Sequence, residues 1–143
     1  MEKIDQTIFY SIEKAIKSYR QFAQKRMITH GFSTTVDQGL VLKIIHENPE
    51  MTQQQIGLLT FKDHASITRI IENLVSKKIL SRDFHSLDRR RFNLSITSIG
   101  LEILERMQPV VELNRVNALN GISERELAAL KVTLNKIISN CQS

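Results

Sequence analysis

The sequence predicts a mainly α fold with one small β-hairpin (α+β), in a single domain. Its 143 residues are a typical length for one domain and too few to divide comfortably into two. Apolar residues recur at helical spacing over most of the chain. Only two short stretches, 79–84 and 92–96, alternate apolar and polar residues as strands do. We therefore expect residues 1–143 to fold as one unit.

The chain is predicted to begin with two helices. Apolar residues recur from Ile4 to Met27, which predicts a long helix with one buried stripe that ends at Gly31. Thr34 or Thr35 can cap a second helix, because a hydroxyl there accepts a hydrogen bond from a free N–H of the first turn. Pro49 ends this helix, since proline disfavours helical geometry in the residue before it.

Two further helices follow, the first of them short. Thr52 with Gln55 fits a capping box, and Asp63 is a good cap for the next helix, which ends at Lys77 and Lys78. One side of that next helix is apolar and should be buried: Ile67, Ile70, Ile71, Leu74 and Val75. The opposite side is polar and should face outward: His64, Ser66, Arg69 and Asn73.

The alternating stretches predict a β-hairpin with a strongly basic tip. Residues 79–84 and 92–96 would pair as its strands, and the loop between them contains Arg89, Arg90 and Arg91 in direct succession. Three adjacent like charges repel one another, so we expect a negatively charged partner at this tip.

The C-terminal part is predicted to be helical again. Thr97 can cap a helix in which Pro109 should cause a bend, because proline lacks the backbone N–H and clashes with the preceding turn. Gly121 ends it. Ser123 and Glu126 then fit a further capping box at the start of the last helix.

Charge and composition favour a polyanion as partner and exclude some other classes. The net charge is +5, and residues 62–91 contain eight basic against four acidic side chains, a local excess typical of polyanion binders. No apolar run approaches the roughly 20 residues of a membrane span, and the N-terminus lacks the apolar core of a secretion signal. We expect no membrane association and a cytoplasmic location. The single cysteine, Cys141, cannot form an internal disulfide.

The order of elements, a short helix, a tight turn, a polar-faced helix and a basic hairpin, is that of a winged helix-turn-helix. The polar start of the second helix can read base edges in the major groove of DNA, which points to His64, Ser66, Thr68 and Arg69. Lys62, just before that helix, is placed to hold phosphates. The hairpin, or wing, can lay Arg89, Arg90 or Arg91 along the minor groove.

The same residues resemble the MarR family of transcription regulators. The resemblance lies in "DHASITRIIENLVSKKIL" and "DRRRFNLSITSIG", where the family pattern matches Asp88, Arg89, Arg90, Thr97 and Gly100. It implies a winged helix-turn-helix lobe at about 34–97, with dimerisation helices in 1–30 and 98–143. It also implies a homodimeric repressor that reads an inverted-repeat operator and is released by a small ligand.

The resemblance assigns further roles to residues of this sequence. Ala65 would join the DNA contacts of the helix that reads the major groove, which is called the recognition helix. Arg89 or Arg90 would be the wing arginine in the minor groove, and Asp88 would fix the wing loop by a salt bridge. The chain departs from the family at Phe61-Lys62, where a glycine followed by a small apolar residue is usual. We expect Phe61 to pack under this turn.

A ligand site between the dimerisation helices and the DNA-binding lobe would involve five residues: Phe9, Tyr19, Phe22, His46 and Met107. Their spacing suits ordinary core packing equally well, and core packing is the favoured interpretation. Likewise, the first and last helices could pack on each other within one chain instead of forming a dimer.

Other function classes have less support. A winged-helix module that contacts an acidic protein partner is the main alternative to DNA binding. The four histidines show no spacing typical of metal ligands, so we expect no metal and no cofactor. We find no glycine-rich phosphate loop, nucleophile motif or convincing carboxylate pair, and therefore expect no enzyme activity.

Overall fold

The computed structural model describes residues 1–84, 87 and 92–142. Within these residues the chain forms a short 3-10 helix at Ile4–Gln6, six α-helices and one two-stranded hairpin. The elements are α1 (Ile8–Thr29), α2 (Val36–Glu47), α3 (Gln53–Thr60), α4 (His64–Ser76), β1 (Leu80–Phe84), β2 (Phe92–Ile96), α5 (Ser98–Ala118) and α6 (Glu124–Cys141). The predicted fold class, mainly α with a small hairpin, is confirmed.

The predicted start of the first helix at Ile4 is wrong. Thr7 has extended backbone geometry, and its hydroxyl caps α1 by accepting a hydrogen bond from the N–H of Tyr10 at 3.3 Å. The apolar spacing continues smoothly across this break, so periodicity alone missed it. The helix ends close to the predicted position, before Gly31, whose φ of +81° suits glycine.

Most of the predicted caps are confirmed. Thr35 and Thr52 each form a complete capping box, with Gln38 and Gln55 respectively. Thr34, the alternative to Thr35, is buried instead. Other caps are formed by three further side chains: Asp63 for α4, Thr97 for α5 and Ser123 for α6. At α6 the structure shows the Ser123 half of the predicted box with Glu126, in which the Ser123 hydroxyl accepts from the N–H of Glu126 at 3.1 Å.

The main apolar core is formed by α2, α3, α4, the hairpin and α5. From α4 it takes Ile67, Ile71 and Leu74, the stripe that the sequence predicts. Ile70 and Val75 are only partly buried against it. A neighbouring group between α1 and α5 includes Ala23, Met27 and Met107. The core therefore fixes α4 by one face and leaves its other face at the surface.

The turn between α3 and α4 differs from the prediction. Phe61 adopts left-handed backbone geometry (φ 58°, ψ 36°) and its side chain is 95% exposed, so it does not pack under the turn. The reversed backbone lets Lys62 donate its N–H to the carbonyl of Gly57 at 2.9 Å. This hydrogen bond closes the C-terminus of α3 while the ring projects into solvent.

The hairpin is antiparallel, with a register from Leu80 opposite Ile96 to Phe84 opposite Phe92. Its buried side includes Leu80 and Leu94, which join the core. The residues of its tip, 85, 86 and 88–91, lie outside the described part of the chain.

Thr97 and Gly100 join the base of the hairpin to α5. The Thr97 hydroxyl donates to the carbonyls of Lys78 (2.6 Å) and Ile79 (3.0 Å), and accepts from the N–H of Gly100 at 3.1 Å. A Cβ on Gly100 would overlap the Ile79 carbonyl oxygen. This close approach requires glycine at position 100.

The C-terminal helices follow the sequence with two qualifications. α5 continues through Pro109, and a bend there remains a prediction. α6 has no buried residue, although apolar side chains recur along it. No helix in the described part of the chain is long and apolar enough to cross a membrane.

Replacing Gly100 with Ala should lower the free energy of unfolding by about 1–3 kcal/mol, because the new methyl group must displace backbone. Urea unfolding at a fixed protein concentration measures the change. Ser98→Ala, in the exposed first turn of the same helix, is the control and should change stability by less than about 0.5 kcal/mol. Equal stability of the two variants would contradict the close approach.

Candidate nucleic-acid interface

The outward side of α4 has the polar character that the sequence predicts. His64, Ala65 and Arg69 are exposed, whereas Ser66 and Thr68 are half-buried. These five predicted contact residues lie in the first two turns of the helix. Together they form the reading face of α4, the name used below for His64, Ala65, Ser66, Thr68 and Arg69.

The start of α4 is held by Asp63. Its Oδ1 accepts a hydrogen bond from the N–H of Ser66 at 2.7 Å. This bond lowers the pKa of the Asp63 carboxyl, and the charges of Arg69 and His64 act in the same direction. The carboxylate therefore remains ionised at neutral pH and fixes the first turn that carries the reading face.

Two glutamines attach the neighbouring helices to α4, and neither was predicted from the sequence. Gln53, the first residue of α3, donates its side-chain N–H to the Thr68 hydroxyl at 2.7 Å. Gln38 of α2 donates to the Asn73 side chain at 2.8 Å. The only indication of this role in the sequence is that Gln53 is a polar residue directly after the Thr52 cap. Its half-buried side chain next to Thr68 makes it a further candidate at this surface.

Lys62 makes an ion pair inside the molecule. Its Nζ lies 2.9 Å from Oδ2 of Asp37, in the first turn of α2. The other oxygen of Asp37 accepts a hydrogen bond from Arg20 of α1. Burial alone would raise the pKa of Asp37, but the hydrogen bonds from Lys62 and Arg20 outweigh it and hold that pKa below its ordinary value of 3.8. Neither Asp37 nor Arg20 was predicted from the sequence.

The predicted wing contacts, Asp88, Arg89, Arg90 and Arg91, lie outside the described residues. The strands that support them are described up to Phe84 and from Phe92. The hydroxyl oxygens of Ser81 and Ser95 lie 2.8 Å apart across the two strands. The base of the wing is thus defined beside α4, and the roles of the arginines remain predictions.

A cavity of about 200 Å³ lies between α1, α2 and α5. Its wall is largely apolar and contains three cationic side chains, Arg20, Lys43 and Arg115. Asn114 also lines it and is only 2% exposed. The side-chain oxygen of Asn114 has no hydrogen-bond partner among the described residues. A buried, unpaired acceptor is unfavourable without a ligand or water to satisfy it.

The five residues predicted for a ligand site are only partly brought together. Tyr19 and Met107 line the cavity. Phe22 lines an adjacent open groove between α1, α5 and α6, which Tyr19 also borders. Phe9 and His46 are exposed and line neither. The spacing of aromatic residues in the sequence could not identify the polar groups of the cavity. These are cationic and amide side chains that come from three separate helices.

A short helix, a tight turn, a polar-faced helix packed by its apolar side and a hairpin directly after it define a winged helix-turn-helix protein. The sequence pattern of the MarR family matches residues 30–91, which contain this lobe up to the arginines of the wing. Over these residues the chain is similar to the MarR family of transcriptional regulators.

Individual relatives show the same similarity. A protein of Thauera aromatica named for transcriptional regulation of the hcr operon is 33% identical over 98 residues, which cover 67% of this chain and 57% of that relative. The match thus spans little more than half of that protein's length.

Solved structures share the fold over nearly the whole chain. BpsR of Bordetella bronchiseptica, in a structure describing regulation of its DNA binding by 6-hydroxynicotinic acid, has a TM-score of 0.85 at 20% identity and covers 96% of both chains. MepR of S. aureus, in a complex with DNA, has a TM-score of 0.84 at 23% identity, with 94% of this chain and 98% of that chain covered. At these identities the likeness shows a common fold.

Replacing Asp37 with Asn should lower the free energy of unfolding at neutral pH by about 1–3 kcal/mol, because two charge-assisted hydrogen bonds weaken. Since the pKa of Asp37 is lower in the folded than in the unfolded state, this stabilisation is present above the unfolded value of 3.8 and is lost as the pH falls through the folded value. Urea unfolding should therefore show a constant difference between the two proteins down to about pH 5, shrinking towards zero below it.

The control for this pH series is Glu47→Gln, which removes an exposed ion pair with Lys43. We expect it to change stability by less than about 0.5 kcal/mol at neutral pH. A difference between wild type and Asp37→Asn that persists undiminished in strong acid would contradict the assignment.

Proposed function

We propose that this protein binds double-stranded DNA in a sequence-specific manner and represses transcription from an inverted-repeat operator, in the cytoplasm. The observation that carries the proposal is the two-sided character of α4. Its apolar stripe is buried, while the polar groups of its first two turns remain at the surface. The MepR–DNA complex shows that a protein of this fold binds DNA, which supports the proposal.

The reading face of α4 would enter the major groove. That groove is wide enough for a helix, and residues at the helix start reach the base edges. Arg69 is the strongest candidate for a specific contact, because a guanidinium can donate two hydrogen bonds to guanine. Arg89 and Arg90 of the wing would lie in the adjacent minor groove, whose negative potential offsets their repulsion.

We propose that the protein acts as a homodimer through its first and last helices. α6 buries no residue within its own chain, and its Leu130, Val132 and Ile138 are exposed. Ile4, Ile8 and Phe9 near the start of the chain are exposed as well. A second copy would cover these side chains, and two reading faces about 34 Å apart would match an inverted repeat.

Selection from random double-stranded DNA should enrich an inverted repeat with half-sites about one helical turn apart. Arg69→Ala should weaken binding to the selected site by about 1–3 kcal/mol and relax the preference at one position of each half-site, as measured by repeating the selection with the variant. Lys17→Ala removes the same charge from an exposed position on α1 and should leave the preference unchanged.

Absence of any enriched sequence at low salt would contradict the proposed function. It would favour instead the contact module with an acidic protein partner.

We further propose that a small molecule occupies the cavity between α1, α2 and α5 and releases the DNA. The cavity has room for a single ring, since a cavity of about 150 Å³ in another protein accepts benzene. Arg20 and Lys43 already pair with Asp37 and Glu47 respectively. It is therefore Arg115 that favours an anionic group on the ligand, and the Asn114 oxygen requires a hydrogen-bond donor. Such a ligand must bind the DNA-incompetent arrangement more tightly, because equal affinity for both arrangements shifts nothing.

Asn114→Leu should separate ligand binding from stability. Removing a buried, unpaired acceptor with little change in shape should raise the free energy of unfolding of the ligand-free protein by about 1 kcal/mol, measured by urea unfolding. The same variant should reduce the effect of 6-hydroxynicotinic acid, used as a probe, on DNA binding. A loss of stability would show that the Asn114 side chain is already satisfied in the free protein.

A further inference from the structure

The Lys62 side chain is half-buried and pairs with a carboxylate of its own lobe. Its ammonium group lies 2.9 Å from the Asp37 carboxylate on α2. About a quarter of its side chain is exposed, whereas the next three residues, from Asp63 to Ala65, are all exposed. This orientation differs from that of a lysine that reaches outward to a phosphate, which is the role that the sequence suggests.

Asp37 connects three separate parts of the chain. One of its oxygens accepts from Lys62, which belongs to the turn before α4, and the other accepts from Arg20 of α1. Asp37 itself lies in the first turn of α2, where a negative charge is favoured by the helix dipole. We call Arg20, Asp37 and Lys62 the carboxylate tie.

The tie acts directly at the start of the recognition helix. Lys62 immediately precedes Asp63, the residue that caps α4. The backbone N–H of Lys62 is bonded to Gly57 of α3, so the main chain and side chain of this residue hold two neighbouring helices. A shift of Lys62 would therefore move the cap and with it the first turn of the reading face.

Charge favours the same conclusion. A single carboxylate lies between two cations, so its removal leaves two positive groups close together without a counterion. Contact of Lys62 with a DNA phosphate would have to compete with this internal partner. The half-buried Asp37 carboxylate is already held next to Lys62 in the free protein. This ion pair therefore needs no further ordering of side chains when DNA binds.

We propose that Asp37 is a positioning residue for DNA binding, which holds Lys62 and α1 together so that the recognition helix starts in the correct place. Lys62 then acts on DNA affinity through the position of α4 and makes no phosphate contact. This inference rests on the proposed function, and it assigns Lys62 a different role from the one expected from the sequence.

The first test measures affinity for the selected DNA site against salt concentration for Lys62→Met, Asp37→Asn and the double variant. We expect each single variant to weaken binding about three- to tenfold and the double variant to be no weaker than the worse single one, because both break the same tie. The slope of log K against log salt should stay at the wild-type value. Asp37→Glu should recover part of the affinity, because it restores the charge.

A phosphate contact by Lys62 predicts different results. Lys62→Met would then make the slope shallower by about 0.9 for each phosphate that the lysine no longer neutralises, and Asp37→Asn would leave affinity unchanged or raise it by freeing the lysine. Either result would overturn the proposal. Lys17→Met, which also removes an ion-paired lysine, controls for the lower net charge.

The second test needs no DNA. Amide hydrogen exchange at Lys62, Ser66 and Ile67, whose N–H groups are bonded to Gly57 and Asp63, should be at least about threefold faster in Asp37→Asn and in Lys62→Met. Lys17→Met should exchange as the wild type does. Unchanged exchange in both tie variants would overturn the proposal, even if the wild type selects no DNA and the proposed function itself fails.

Discussion

The close approach of α3 and α4 is the constraint on which the rest of the structure depends. Gly57 of α3 faces Ile67 of α4, and a Cβ at Gly57 would lie 3.2 Å from the carbonyl oxygen of Lys62. This proximity lets Ile67 reach the core, and the turn closes by the hydrogen bond to Gly57. Because α4 is anchored by its apolar stripe, its polar side remains at the surface, where side-chain hydrogen bonds from Gln53 and Gln38 reach it.

The hairpin and α5 are joined next to this unit by Thr97 and Gly100. Thr97 binds the carbonyls at the end of the α4 segment and caps α5 with the same hydroxyl. Gly100 allows α5 to approach the Ile79 carbonyl. The Thr-x-x-Gly part of the family pattern therefore has a structural explanation. It holds the start of α5 against the base of the hairpin.

Features set by neighbouring residues could be predicted from the sequence. The caps at Thr35, Thr52, Asp63 and Thr97 depend on a side chain and a backbone N–H within one turn, so their pattern is local. The start of α1 was missed because a short-range cap at Thr7 outweighs an apolar period that continues through it.

Features that bring distant residues together could not be predicted in this way. Asp37 is 17 residues from Arg20 and 25 from Lys62, and no spacing rule relates such positions. The cavity likewise combines Arg20 and Asn114 from two long helices. Phe61 was misjudged because the left-handed turn directs its side chain outward, although aromatic residues are usually buried. Tertiary geometry decides the position of Asp37 and the cavity, and the geometry of the turn decides Phe61.

The exposed apolar side chains of α6 have a consequence for the fraction of the protein that is dimeric in a cell. In the proposed dimer, the second chain would cover the exposed apolar residues of α6, so association would add to the stability of the fold. At low protein concentration, the concentration of dimers falls with the square of the concentration of single chains. If the proposed function holds, single chains with exposed apolar residues on α6 would be degraded faster than dimers, and repression would depend steeply on protein abundance.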